Sequence, residues 1–149
     1  MNTGELLTRL GTALAESPAL LAWSQEKYGK DHTVYIGTND EQPAPASEYP
    51  VIALTDVAEI HGNSAGMRTW NLGIGCGIIN EDLTDGGRLK TYEGMTDAEQ
   101  LRELVEGVLK QERFCKVTFG GETAPLNIYP IFVSYTVATI EVIHTRRRQ

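Results

Sequence analysis

The run RTWNLGIGCGII, Arg68 to Ile79, constrains the fold more than any other part of the chain. Side chains in a β-strand alternate between two faces. On that period Trp70, Leu72, Ile74, Cys76 and Ile78 share one face, and Thr69, Asn71, Gly73, Gly75 and Gly77 share the other. A phosphate-binding glycine loop follows a strand, opens a helix, and is spaced GxGxxG or GxxxxGK with Ser or Thr next. These glycines instead sit inside an alternating run and are followed by a polar stretch, which makes the segment a long strand. Glycine in a strand costs roughly 0.5–1 kcal/mol relative to alanine. It often marks close approach by another backbone. Gly73, Gly75 and Gly77 are therefore expected to form a close-packing strand face. The nearest candidate to fill it is a helix over 97–112, through Leu101, Leu104 and Leu109, and the alternative is a neighbouring subunit.

The remaining elements follow from period and punctuation. Leu6, Leu7, Leu10, Ala13 and Leu14 fall on one helical stripe over 4–15, with Thr3 as the expected cap. A second helix spans 17–29, where Ser17 caps, Pro18 suits the first helical position and Gly29 stops the run. Residues 32–37 form a short strand, and the proline-rich stretch 38–50 a loop. Val51–Leu54 is apolar on both faces, which suggests an interior strand covered on two sides. A hairpin turn is expected at Gly62-Asn63 or Ala65-Gly66, and a loop over 81–94 turning at Asp85-Gly86-Gly87. Thr96 and Glu99 have the spacing of a capping box and place the start of the third helix at 97. Cys115, Val117 and Phe119 alternate in a further strand, 120–130 is a loop, and 131–143 is the closing strand. This order predicts a two-layer α+β domain over 1–149. Its mainly antiparallel sheet has four to five strands with helices packed on one face. A flexible basic tail follows at 144–149.

Charge and residue chemistry narrow the function. The formal net charge is −7, and Arg146, Arg147 and Arg148 supply three positives, which leaves −10 on the rest. Such a body is poorly suited to gripping nucleic acid. Cys76 and Cys115 have no CxxC spacing, so a reduced cytoplasmic setting is expected. The N-terminus lacks the pattern of a signal peptide, and no apolar run approaches the ~20 residues of a membrane span. His32, His61 and His144 show no ligand-like spacing for a metal. Cys115 falls in an alternating strand and reads as a core thiol rather than a nucleophile. Glu81, Asp82 and Asp85 do not match a calcium loop. Trp70 belongs on the core face, while Tyr92, in the polar 81–94 stretch, is the best contact candidate among the aromatics. No catalytic, metal or cofactor-binding residues are assigned, and no enzyme is expected.

The layout resembles bacteriophage tail terminator and tail-completion proteins. The segments that carry the likeness are ELLTRLGTALAESPALLAW, YPVIALTDV, RTWNLGIGCGII, DAEQLRELVEGVLK and IFVSYTVATIEVI, together covering roughly 4–143 by element order. The resemblance implies a structural virion protein that assembles into a hexameric ring. The ring caps the tail tube, ends its polymerisation and offers a head-joining surface. It implies as partners the tail-tube protein, head-completion or connector proteins, and DNA passing through the channel without specific binding. It implies no cofactor, and a place in the host cytoplasm during assembly and then in the virion. Asp85, Arg88, Lys90, Tyr92 and Glu93, with Arg146, Arg147 and Arg148, are the expected assembly contacts. A head–tail connector or neck protein is the neighbouring alternative. A small cytoplasmic enzyme or ligand-binding domain would need a pocket of converging polar groups. A nucleic-acid module would need a basic face with aromatic platforms.

Overall fold

The computed structural model describes residues 1–39, 41–61, 66–120 and 124–143. Leu6, Leu10 and Leu14, one helical turn apart, are fully buried and seat α1 (Thr3–Ala15) on the sheet. The cap is Asn2, whose side chain accepts the Glu5 N–H at 2.8 Å; the expected cap, Thr3, is the first helical residue. Ser17 accepts the Leu20 N–H at 3.3 Å and Pro18 opens α2 (Pro18–Tyr28). Gly29 ends it at φ 69°, a left-handed conformation that glycine adopts without penalty. Between the helices and the first strand, buried His32 meets the Leu14 carbonyl oxygen through Nε2 at 2.7 Å.

The main sheet has six strands, more than the four to five expected. They are β1 (Thr33–Ile36), β2 (Val51–Ile60), β3 (Met67–Ile79), β6 (Lys116–Phe119), β7 (Ala124–Ile128) and β8 (Ile131–Ile143). The order is β1-β2-β3-β8-β6, and β7 pairs with β8 on the same outer side as β6. The β1–β2 pair is parallel and the others are antiparallel. Strands β3 and β8 pair along all of their length, from Met67↔Ile143 to Ile79↔Ile131. Strand β7 occupies a stretch expected to be loop, and Pro125 is tolerated there because the strand lies at the sheet edge. The architecture is α+β.

The inward face of the sheet carries Ile52, Leu54, Trp70, Leu72, Ile74, Cys76, Ile78, Phe132, Ala138 and Ile140, all buried. Against it lies α3 (Glu93–Lys110), through Ala98, Leu101, Val105 and Leu109. The helix begins one turn before the expected position, so Thr96 and Glu99 lie inside it and do not form its cap. Two inward positions on β8 are polar, and the sheet satisfies one of them through α3. Ser134 donates to Glu99 Oε1 at 3.0 Å and accepts from Arg102 Nε at 3.0 Å. Arg102 then forks to Glu99 at 2.9 Å and Glu106 at 2.7 Å.

Helix α3 therefore packs on the Trp70–Ile78 face, opposite the glycines. The expectation that it fills the glycine face is wrong: alternation places Gly73, Gly75 and Gly77 on the far side of the sheet. Val51–Leu54 is covered from two sides only at its start, where Val51, opposite in direction to Ile52, is buried. Ile52 and Leu54 enter the core while Ala53, paired with Gly75, points the other way and stays half-exposed. The expected turn residues Gly62, Asn63 and Ala65 fall outside the described residues.

Candidate assembly surface

The 81–94 segment, expected as a loop, is a projecting hairpin. Strands β4 (Leu83–Gly86) and β5 (Leu89–Tyr92) pair only with each other, from Leu83↔Tyr92 to Gly86↔Leu89. The turn is Gly87-Arg88, with Gly87 at φ 85°, the two-residue arrangement whose first position requires glycine. Every residue of both strands is exposed. The arm carries Asp85 against Arg88 and Lys90. Lys90 donates to Asp85 at 2.8 Å, and this bond, helped by the Gly87 N–H, holds the Asp85 carboxyl below the usual range. Thr84 donates to Glu93 at 2.7 Å across the root. The structure thus gathers Asp85, Arg88, Lys90, Tyr92 and Glu93 on one arm and its base.

Aromatic packing fixes the root of the arm. The Tyr92 ring stands 5.5 Å from Tyr129 and 6.3 Å from Phe132, and Tyr129 packs edge-on to Phe132 at 6.4 Å. The Tyr129 hydroxyl donates to the Glu81 carbonyl at 3.3 Å. Gly94 lets the Phe132 ring lie directly on the first turn of α3. A shallow cleft of about 390 Å³ opens beside this cluster, between Lys90, Tyr92, Met95, Glu99, Asn127 and Phe132. On the other side of the same end, Leu126 and Ile128 project from β7 at 59% and 67% exposure, beside Val133 and Ile131. Ten large apolar side chains are exposed among the described residues, and seven belong to this end: Leu83, Leu89, Tyr92, Met95, Leu126, Ile128 and Tyr129.

The three glycines are not equivalent. A Cβ on Gly73 would lie 2.8 Å from Tyr135 Cζ, because the Tyr135 side chain crosses the open face above it. The Tyr135 hydroxyl donates to Asp56 at 3.2 Å, and burial together with that carboxylate raises its pKa. Asp56 sits at φ 51° where β2 breaks register with β3 between Thr55 and Ala58, a bulge that aims its side chain at the tyrosine. A Cβ on Gly75 would meet only Val133 at 3.9 Å, and one on Gly77 would meet Val133 at 3.6 Å, both ordinary contacts. On the same face Tyr35, paired with Ala53, hydrogen-bonds Glu48. Gly73 and Gly77 are buried within the chain, so the open part of this face is the half-exposed floor of Gly75, Ala53 and Val133, flanked by two tyrosine-held carboxylates.

Arg146, Arg147 and Arg148 lie outside the described residues. Sequence patterning missed Met95, Asp56, Tyr35, Tyr135, Leu126 and Ile128 as surface features. The alternation of Leu126 and Ile128 about Asn127 was a usable signal, masked by Pro125. Among the described residues no group of three or more His, Cys, Asp or Glu side chains could hold a metal ion. Among them, too, no helix is long and apolar enough to cross a membrane. No protein-family model matches the chain, and no curated protein matches it.

Proposed function

We propose that this chain is a non-enzymatic assembly protein of a phage-type tail. Its copies associate head to tail into a ring, hexameric in the tail terminator pattern that the element order resembles. The ring caps one end of the tail tube, stops its growth and presents a surface for head joining, with DNA passing through the centre. It assembles in the host cytoplasm and remains in the virion at the head-facing end of the tail. The observation that carries this reading is the clustering of five exposed apolar side chains, Leu83, Leu89, Tyr92, Met95 and Tyr129, around one projecting arm, with Leu126 and Ile128 exposed on the far face of the same end. At about half exposure of roughly 150–200 Å² each, the five present on the order of 400 Å². An apolar patch of a few hundred Å² on a monomer is often an interaction site, and stable interfaces take about 800 Å² per partner. A heterologous contact of that kind closes into a ring when the rotation permits.

The reading is tested by mixing the protein with its tail-tube protein and viewing labelled protein by electron microscopy. The expected result is label at one end of each tube and arrest of further elongation. Binding along the tube wall, or no binding, contradicts it. Attachment to head-connector proteins alone would assign the chain to the neck instead.

A further inference from the structure

We propose that the β4–β5 arm of one copy seats on the glycine-bearing open sheet face of a second copy; this rests on the ring reading above. Three observations select that occupant. The first is geometry. The arm is rooted beside α3 and Phe132, on the helix side of the sheet, whereas Gly75 and Gly77 face the opposite side. An arm seated on that face therefore comes from another molecule.

The second is area. The exposed apolar side chains of the arm and its root alone do not reach the ~800 Å² per partner of a stable interface. Joined head to tail, each copy contributes both an arm and a face, so every protomer buries two patches. The third is charge. Lys90 is paired with Asp85 inside the arm, which leaves Arg88 as the cation at its tip in a chain of net charge −7. The open face carries Asp56 and Glu48, each held in place by a tyrosine hydroxyl. Leu89, 75% exposed beside the turn, supplies the apolar contact, and Arg88 at the tip is placed to meet a carboxylate.

The glycine at 75 agrees with this, being half-exposed, whereas Gly77 is buried within the chain. Within the chain position 75 does not need glycine, because a Cβ there meets only Val133 at 3.9 Å. A neighbouring arm pressed against the strand supplies the need.

Cysteine pairing tests the contact. Leu89→Cys and Gly75→Cys are made singly and together in the full chain, oxidised, and run without reductant beside the unmodified protein. Background is low because Cys76 is fully buried and burial raises the Cys115 pKa to about 11. Melting curves confirm that each variant folds. The expected result is a ladder of covalent multimers from the double variant alone. A dimer from Leu89→Cys alone indicates arm against arm, and one from Gly75→Cys alone indicates face against face; either overturns the proposal. So does a fast-migrating internally cross-linked monomer. Multimers seen by light scattering without any cross-link place the contact elsewhere and leave the ring reading standing. A strict monomer, with or without tube protein, overturns both. Arg88→Glu is expected to weaken self-association at least tenfold, and an unchanged association constant counts against the assigned seat.

Discussion

Gly94→Ala and Gly107→Ala are the same substitution in the same helix, and they should shift stability in opposite directions. In a helix, Gly→Ala normally gains up to about 1 kcal/mol. At Gly107 a Cβ meets nothing within 4 Å, so that gain should be realised. At Gly94 the added Cβ falls inside the Phe132 ring, 2.9 Å from Cγ and closer still to two other ring carbons. Phe132 is 4% exposed and is held between Tyr92, Tyr129 and α3, so the ring has little room to withdraw. Overpacking of this kind costs about 1–3 kcal/mol. Overlap with three ring atoms puts the cost in the upper part of that range, about 2–3 kcal/mol, so after a propensity gain of up to about 1 kcal/mol Gly94→Ala should lose about 1–2 kcal/mol. Urea denaturation of both variants beside the parent reads this as midpoints displaced in opposite directions at constant slope. In thermal melts the loss corresponds to roughly 2–8 °C. A Gly94→Ala variant as stable as the parent would refute the packing of Phe132 on the first turn of α3. It would also remove the support argued for the root of the arm.

Further outcomes follow from the same geometry. Gly75→Ala should leave the isolated chain as stable as the parent or up to about 1 kcal/mol more stable, measured in urea at dilutions where it is monomeric. Destabilisation beyond that would mean the strand is crowded within its own chain. Leu101→Ala, at a fully buried position facing the sheet, should cost about 2–5 kcal/mol in the same assay. The pH dependence should carry the mark of Glu99, whose pKa is lowered below 4.5 chiefly by its bond to Arg102. A depressed folded-state pKa gives stability that is present above the unfolded value and lost as pH falls through the folded one. Glu99→Gln should therefore lose less stability than the parent on titration from about pH 6 to about pH 3, measured as the urea midpoint.

The sequence showed the core of this protein more clearly than its surface, for physical reasons. Trp70 to Ile78 alternate cleanly because one face of β3 is buried by helices along its length. The α1 stripe, the Ser17-Pro18 start and the Gly29 stop depend on local chemistry and were legible for that reason. The β4–β5 arm was not. Both strands are exposed on both faces, so no burial imposes a period of two, and only the glycine turn hinted at a hairpin. Strand β7 was hidden by Pro125, which argues against an interior strand but is compatible with an edge. The start of α3 was misplaced because Thr96 and Glu99 imitate a capping box, while Glu99 is used instead to hold Ser134 and Arg102. The distinct surroundings of Gly73 could not be seen from β3 alone. They depend on register, which sets Tyr135 opposite Gly75 and lets its ring reach diagonally across to Gly73.

The central claim is self-association through the arm and the open face. Its most direct test is the molar mass of the chain by light scattering, alone and with tail-tube protein, beside a variant lacking Leu83–Tyr92. The account expects one closed multimer of fixed stoichiometry from the full chain, in at least the presence of tube protein, and a monomer from the variant. A full chain that stays monomeric in both conditions, or a variant that assembles as well as the parent, would contradict it.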